Sequence, residues 1–289
     1  PVAKYFEQDV SEYITYGIKS GDLRAKNLKL TAKNVSYDIQ PIEIKKLSSI
    51  ASANISKTDQ DFHIKTQIPG KFNIYNSLAA VAVGLRLGLT KPQIEEGITS
   101  LTSVEGRMNI IDEGQNFTVI VDYAHTPDAI QKVFDSVARE PENSDKKSKS
   151  STKPHIITVH GGAGRRDEST RAERGEIIAK YSDFFIITED DSRDEDPEKI
   201  AEMFATGAKK QGMTEFKPQE SDKNIPDKSY LIDLDRKSAI KKALTLAKKD
   251  DIVLILGKGH EKTILRKSGP VPFEDIKVAT KLLKELTKK

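Results

Sequence analysis

The sequence predicts an α/β protein whose larger, second part is built on a mostly parallel sheet. Two observations carry that prediction. From about residue 108 onward, short continuous apolar runs alternate with helical segments, the pattern of parallel strands covered on both faces. Three of those runs end in clusters of polar, loop-forming residues. Thr118–Val121 leads into Asp122-Tyr123-Ala124-His125-Thr126-Pro127-Asp128, Ile186–Thr188 into Glu189-Asp190-Asp191-Ser192-Arg193, and Asp251–Leu256 into Gly257-Lys258-Gly259-His260-Glu261. In open α/β sheets ligands sit beyond the carboxyl ends of the strands, so these clusters are the first candidates for a site.

Residues 1 to about 70 read as β-rich, because Tyr13–Gly17, Leu28–Thr31 and Phe62–Thr66 alternate apolar and polar residues with the period of half-buried strands. After Gly70, the Ala-rich stretch Phe72–Ala82 predicts a tightly packed helix. Pro92, suited to a first helical turn, opens another. Ser103–Arg107 predicts a hinge, giving domains at 1–106 and 107–289. Beyond it, strands are expected near Phe117–Val121, His155–Val159, Phe184–Thr188, Tyr230–Leu234 and Asp251–Leu256. Helices are expected near Pro127–Ala138, Arg171–Tyr181, Pro197–Lys210, Lys237–Lys248 and Phe273–Leu286. The Glu-, Ser- and Lys-rich run Arg139–Lys153 predicts a mobile surface insertion. No internal repeat is evident.

Composition removes several function classes. The 289 residues suffice for about two domains. Net charge is +3, from 47 basic and 44 acidic residues, which leaves no footprint for nucleic acid. With no Cys there is neither a disulfide framework nor a thiolate metal site, which fits a cytoplasmic setting. No apolar run approaches the ~20 residues of a membrane span, and no signal peptide is visible. The chain opens at Pro1 in charged sequence, and a piece of a longer protein is expected.

Each polar cluster has a chemical reading. His160-Gly161-Gly162-Ala163-Gly164-Arg165-Arg166-Asp167 lies between a strand and a helix. Such a loop turns backbone N–H groups toward an anion, and Arg166 suits a carboxylate held by two parallel bonds. A tight turn with surface arginines has the same sequence. Asp190-Asp191-Ser192-Arg193 suits a zwitterion, with a carboxylate on Arg193 and an ammonium on Asp190; a solvated loop before the Pro197 helix is the alternative. Asp122 and His125 suit a polar pair beside a nucleotide, although a His after a strand is often structural. Two glycines let the backbone at Gly257 approach a ligand, and Glu261 can accept a bond from an amine. Asn73 and Asn76 share one helix face, where two amides suit an adenine edge, with helix capping the alternative for Asn73.

Together these sets resemble one family. Gly70-Lys71-Phe72-Asn73-Ile74-Tyr75-Asn76 with Ala79-Ala80, then Glu105-Gly106-Arg107-Met108, then the Asp122–Asp128 run, then Gly257–Glu261, follow the order found in Mur ligases. The last two runs look most like the MurE type, the UDP-N-acetylmuramoyl-tripeptide synthetases. The resemblance extends from about Tyr13 to the C-terminus. It implies the last part of the central ATPase domain followed by a Rossmann-like C-terminal domain. The family's phosphate loop, a Gly-rich run ending Gly-Lys-Thr/Ser, is absent: Gly70-Lys71 and Gly257-Lys258 do not continue with Ser or Thr.

The resemblance implies an ATP-dependent, magnesium-dependent ligation of a diamino acid to UDP-MurNAc-L-Ala-D-Glu through an acyl phosphate, by a cytoplasmic and monomeric enzyme. It places Asn73 and Asn76 on adenine, Arg107 and Asp122 on the nucleotide, and His125 beside them. Arg166, Asp190, Asp191, Ser192, Arg193, Gly257 and Glu261 would hold the diamino acid. Magnesium ligands belong to a part of the family's sequence upstream of these residues. Many members that use meso-diaminopimelate carry Asp-Asn-Pro-Arg where this chain has Asp190-Asp191-Ser192-Arg193. The retained Arg193 favours a substrate with a second carboxylate, whereas Asp191 favours an ammonium, so diaminopimelate comes first and lysine next. The Gly-rich loop departs too, with Glu168 and Ala172 where Lys and Pro are common. Folylpolyglutamate or cyanophycin synthetases, or a binding module without turnover, are the competing readings.

Overall fold

The computed structural model describes residues 13–31, 34–39, 62–137, 154–217 and 226–287. Described residues up to Ser103 form one compact unit and those from Val104 onward a second. The insertion expected at Arg139–Lys153 lies outside the described residues.

In the first unit, β1 (Tyr16–Gly17), β2 (Leu23–Leu30), β3 (Val35–Ile39) and β4 (Phe62–Thr66) form a sheet in that order. β1 runs parallel to β2; the other neighbours are antiparallel. The inward residues Val35, Tyr37, Ile39 and Ile64 pack against α1 (Phe72–Arg86) and α2 (Lys91–Ser100) through Ile74, Leu78, Val81 and Ile94. The strand expected over Tyr13–Gly17 is shorter, because Thr15 folds into a turn with Asp22: its N–H and hydroxyl donate to Asp22 Oδ2 at 2.8 and 2.6 Å. The strand expected at Leu28 begins five residues earlier, at Leu23. A bulge between Lys26 and Lys29, with Asn27 at φ 51°, breaks the alternation there and hides the first half from a period-two reading. Pro92 sits in the first turn of α2, behind a capping box in which Gln93 Oε1 accepts from Thr90 N at 2.8 Å.

The second unit alternates β5 (Asn109–Ile111), β6 (Thr118–Asp122), α3 (Pro127–Val137), β7 (Ile156–Gly162), α4 (Arg171–Tyr181), β8 (Phe184–Glu189), α5 (Pro197–Lys210), β9 (Thr214–Glu215), β10 (Ser229–Ile232), α6 (Arg236–Leu246), β11 (Ile252–Leu256), β12 (Thr263–Arg266), β13 (Gly269–Pro272) and α7 (Asp275–Thr287). Among the described residues its main sheet has the order β5-β6-β11-β7-β8-β10-β9. Only β5 is antiparallel to its neighbour, so the mostly parallel sheet is present. β7 and β8 are buried along their whole length, which is why they read as unbroken apolar runs. Helix starts follow their caps: Asp196 accepts from Glu198 N and Asp235 from Ser238 N. The antiparallel hairpin β12–β13 was not anticipated; its strands are short and mostly exposed.

A fully buried ion pair ties the sheet ends to the helices. Arg236, at the start of α6, donates to both carboxylate oxygens of Asp275 at 2.8 and 2.7 Å, and to the carbonyls of Leu256 and Glu189. Those carbonyls close β11 and β8, two of the three strands that lead into the polar clusters.

Candidate functional site

The sheet order brings β6, β11, β7 and β8 side by side, so their carboxyl ends open on one edge. A cleft there is lined by Tyr123, His125, Arg166, Asp190, Asp191 and Glu261, with Gly257 and Arg174 among its other walls.

The floor of this cleft is ionic. Lys258 has no exposed surface, and its ammonium donates to Asp190 Oδ1 at 3.2 Å, Asp191 Oδ1 at 2.8 Å and Glu261 Oε2 at 2.8 Å. Burial opposes the Lys258 charge, but the three carboxylates outweigh it and raise its pKa. Burial likewise pushes the Asp190 carboxyl up, yet the Lys258 and Arg236 charges bring it below the usual carboxylate range. Asp191 Oδ1 also accepts from Leu265 N at 2.9 Å, which fixes its direction. Gly257, at φ 113°, sits so close that a Cβ would lie 3.0 Å from Asp190 Oδ2 and 3.3 Å from His160 Nδ1. His160 lies beneath, wholly buried, with no hydrogen bond to either ring nitrogen; burial pushes its pKa down to about 3.

Asp190, Asp191 and Glu261 also have the spacing of a metal site. The residues do not fit a magnesium ion, because the point between the carboxylates belongs to the Lys258 ammonium, and a second cation would have to displace it.

Other candidates are placed differently. Asp122 and His125 do not form the expected polar pair. Asp122 is buried and accepts from Met108 N and Ala124 N, both at 2.7 Å, while His125 Nδ1 bonds its neighbour's carbonyl, Tyr123 O, at 2.8 Å. Burial raises the Asp122 pKa despite those two donors and Arg107. The Arg107 guanidinium packs over the Tyr123 ring at 5.0 Å, and the Tyr123 hydroxyl reaches Glu261 Oε1 at 3.4 Å.

Of the loop after β8, Asp190 and Asp191 line the cleft. Ser192 Oγ donates to Glu189, itself paired with Arg266. Arg193 takes φ 55° and donates its backbone N–H to Leu265 O at 2.8 Å, which turns the chain away after Asp191. Arg193 is absent from the residues lining the cleft. Arg166 does line it, although a single 3-10 turn, Glu168–Thr170, separates its loop from α4, so the helix end does not follow the loop directly.

In the first unit, Asn73 is not a cap. It lies inside α1, its amide donates to Pro69 O at 2.6 Å, and its carbonyl accepts from Asn76 Nδ2 at 2.9 Å. The two amides therefore do meet, one serving as the other's partner.

Lys258 and Tyr123 stood inside the quoted runs but carried no role of their own. Gly257-Lys258 entered only as a pair that does not continue into a phosphate loop, and the folded order of strands is what shows three acids converging on this lysine.

The comparisons with known proteins follow the same division. A family model described as Mur ligase, glutamate ligase domain, matches residues 106–259, and one described as Mur ligase middle domain matches residues 2–84. UDP-N-acetylmuramoyl-L-alanyl-D-glutamate--2,6-diaminopimelate ligase 1 of Clostridium acetobutylicum is 34% identical over 286 residues, covering 98% of this chain and 50% of the relative. The corresponding 2,6-diaminopimelate ligase of Alkaliphilus metalliredigens is 37% identical over 274 residues, 94% of this chain and 47% of that protein. A solved structure of a UDP-N-acetylmuramoyl-L-alanyl-D-glutamate–2,6-diaminopimelate ligase shares the fold at a TM-score of 0.55 and 22% identity, covering 100% of this chain and 51% of that one. The chain spans about half the length of the curated relatives it matches.

Proposed function

This chain belongs to the Mur ligase family, and from that premise we propose that it is part of an ATP-dependent ligase that joins a diamino acid to UDP-MurNAc-L-Ala-D-Glu. The substrate class rests on the relatives whose names specify 2,6-diaminopimelate. The observation that carries the reading is the cleft itself, which sets an acidic cradle of Asp190, Asp191 and Glu261 beside the unpaired guanidinium of Arg166. An amino acid presents that same pair of charges in reverse. Ammonium and carboxylate are held together, and the amine is oriented for its reaction.

The family uses ATP with magnesium: the substrate carboxylate takes the γ-phosphoryl group, ADP leaves, and an acyl phosphate results. The bound ammonium loses one proton to become a nucleophile, its nitrogen forms the new C–N bond, phosphate leaves with the C–O electron pair, and the nitrogen loses a second proton. In the proposed complex Arg107, without an ion pair among the described residues, meets the nucleotide. Asp122 and His125 hold the loop after β6 that shapes this end of the cleft, and Asn76 turns its free carbonyl oxygen to adenine beside Asn73. Arg193, half-buried and without an ion pair, takes the second carboxylate of diaminopimelate. Gly257 gives the backbone its approach, and Ser192 holds the loop through Glu189. Since these residues contain no Gly-Lys-Thr/Ser run, phosphorylation belongs to the full-length protein, a cytoplasmic monomer in this reading. Among the described residues, no helix is long and apolar enough to cross a membrane.

The test supplies full-length protein with ATP, magnesium and UDP-MurNAc-L-Ala-D-Glu, and compares meso-diaminopimelate with L-lysine by phosphate release and tripeptide formation. Turnover with diaminopimelate is expected, and Arg193→Ala raises its KM by about tenfold or more while sparing lysine. No turnover with any diamino acid rejects the reading.

A further inference from the structure

Lys258 stands out among the described residues as a lysine with no exposed surface, and one carboxylate would be enough to neutralise it. It has three: Asp190, Asp191 and Glu261. Removing an ammonium from water costs several kcal/mol, so a lysine persists there only if its partners offset that cost. The second and third carboxylates go beyond what neutrality requires and leave the cluster with an excess of negative charge. Each carboxylate spends one oxygen on Lys258. Asp190 Oδ2 and Asp191 Oδ2 accept no hydrogen bond among the described residues, although both residues line the cleft.

We infer that Lys258 is a positioning residue for the substrate's amine: it touches no substrate, but holds the three carboxylates ionised and convergent so that their remaining oxygens receive an ammonium. The inference rests on the proposed ligase reading and assigns a role within that site. The charged and titratable groups around the cluster come from every neighbouring element. Tyr123 follows β6, His160 lies on β7, Asp190 and Asp191 follow β8, Arg236 begins α6, and Arg166 and Arg174 stand on the far wall. The neutral His160 and the Asp275-paired Arg236 leave Lys258 as the cation in direct contact with all three carboxylates.

The test compares full-length wild type, K258M and the double variant K258M/D191N, which removes one carboxylate with the lysine and so restores the original charge. Two readouts are taken. The first is thermal stability across about pH 4 to 8, which needs no turnover. Carboxylates left without their cation favour the protonated form in the fold, so K258M loses stability relative to wild type as pH rises. The double variant loses that extra dependence. The second is steady-state kinetics: kcat/KM for the diamino acid falls about tenfold or more in K258M while KM for ATP stays within about threefold. Parallel pH profiles for K258M and wild type overturn the inference, as does a double variant that keeps the extra pH dependence of K258M. If K258M does not fold, the double variant decides: a folded protein with a wild-type pH profile supports the charge role, and failure to fold shows that the lysine serves packing instead. A wild type without turnover rejects the ligase reading, and the stability comparison still decides the role of Lys258.

Discussion

His160 shows how a single side chain can make this fold sensitive to acid. Burial, helped by the nearby Arg174 charge, keeps its imidazole neutral, with a pKa pushed from 6.5 down to about 3. The unfolded chain takes up a proton that the folded protein refuses. Its contribution to stability is therefore complete above pH 6.5 and is lost as pH falls toward about 3, by up to about 1.4 kcal/mol per pH unit. His160→Phe, which keeps an aromatic ring against Phe204, should flatten the dependence of unfolding free energy on pH between 6.5 and about 4. Denaturant titrations of both proteins at several pH values check this; identical slopes would count against a buried neutral imidazole. The sequence placed His160 at the head of a Gly-rich loop and gave no hint of its burial, because the strand it belongs to runs three residues further than its apolar residues suggest.

At the scale of elements, α4 and α5 pack through small residues. A Cβ on Gly207 would lie 2.0 Å from the carbonyl oxygen of Ala172, and one on Gly175 would lie 2.3 Å from that of Phe204. The two backbones approach too closely for any side chain at either position. Gly207→Ala should destabilise the protein by about 1–3 kcal/mol through overpacking, although alanine is the better helix former. A fall in Tm checks it, and an unchanged or higher Tm would show that the helices can separate at no cost. The extents of α4 and α5 were fully legible, since Arg171–Tyr181 and Pro197–Lys210 are read from the sequence and observed alike. Their closeness was not, because a helical glycine reads only as a weak position. The strands were legible for the opposite reason: burial on both faces leaves an unbroken apolar signature. The β12–β13 hairpin, half polar and exposed, left none. The same contrast holds in the site. Acids and glycines at strand ends were visible as clusters, but that Asp190, Asp191 and Glu261 meet on Lys258 depends on β11 lying between β6 and β7, which no local pattern encodes.

For the whole molecule, the Arg236–Asp275 pair joins the sheet to the last described helix. Neither side chain has exposed surface, so Asp275→Ala leaves a buried guanidinium without its anion and should cost about 3–5 kcal/mol. Equilibrium unfolding measures the loss, and a change below about 1 kcal/mol would mean that water reaches Arg236. The same pair has a consequence for synthesis. Asp275 is made after every strand of the main sheet, and until it arrives Arg236 has carbonyls but no counter-charge. A nascent chain can thus pair its strands before it can settle the ends of β8 and β11, and the edge where Lys258 gathers its carboxylates takes its final form late on the path out of the ribosome.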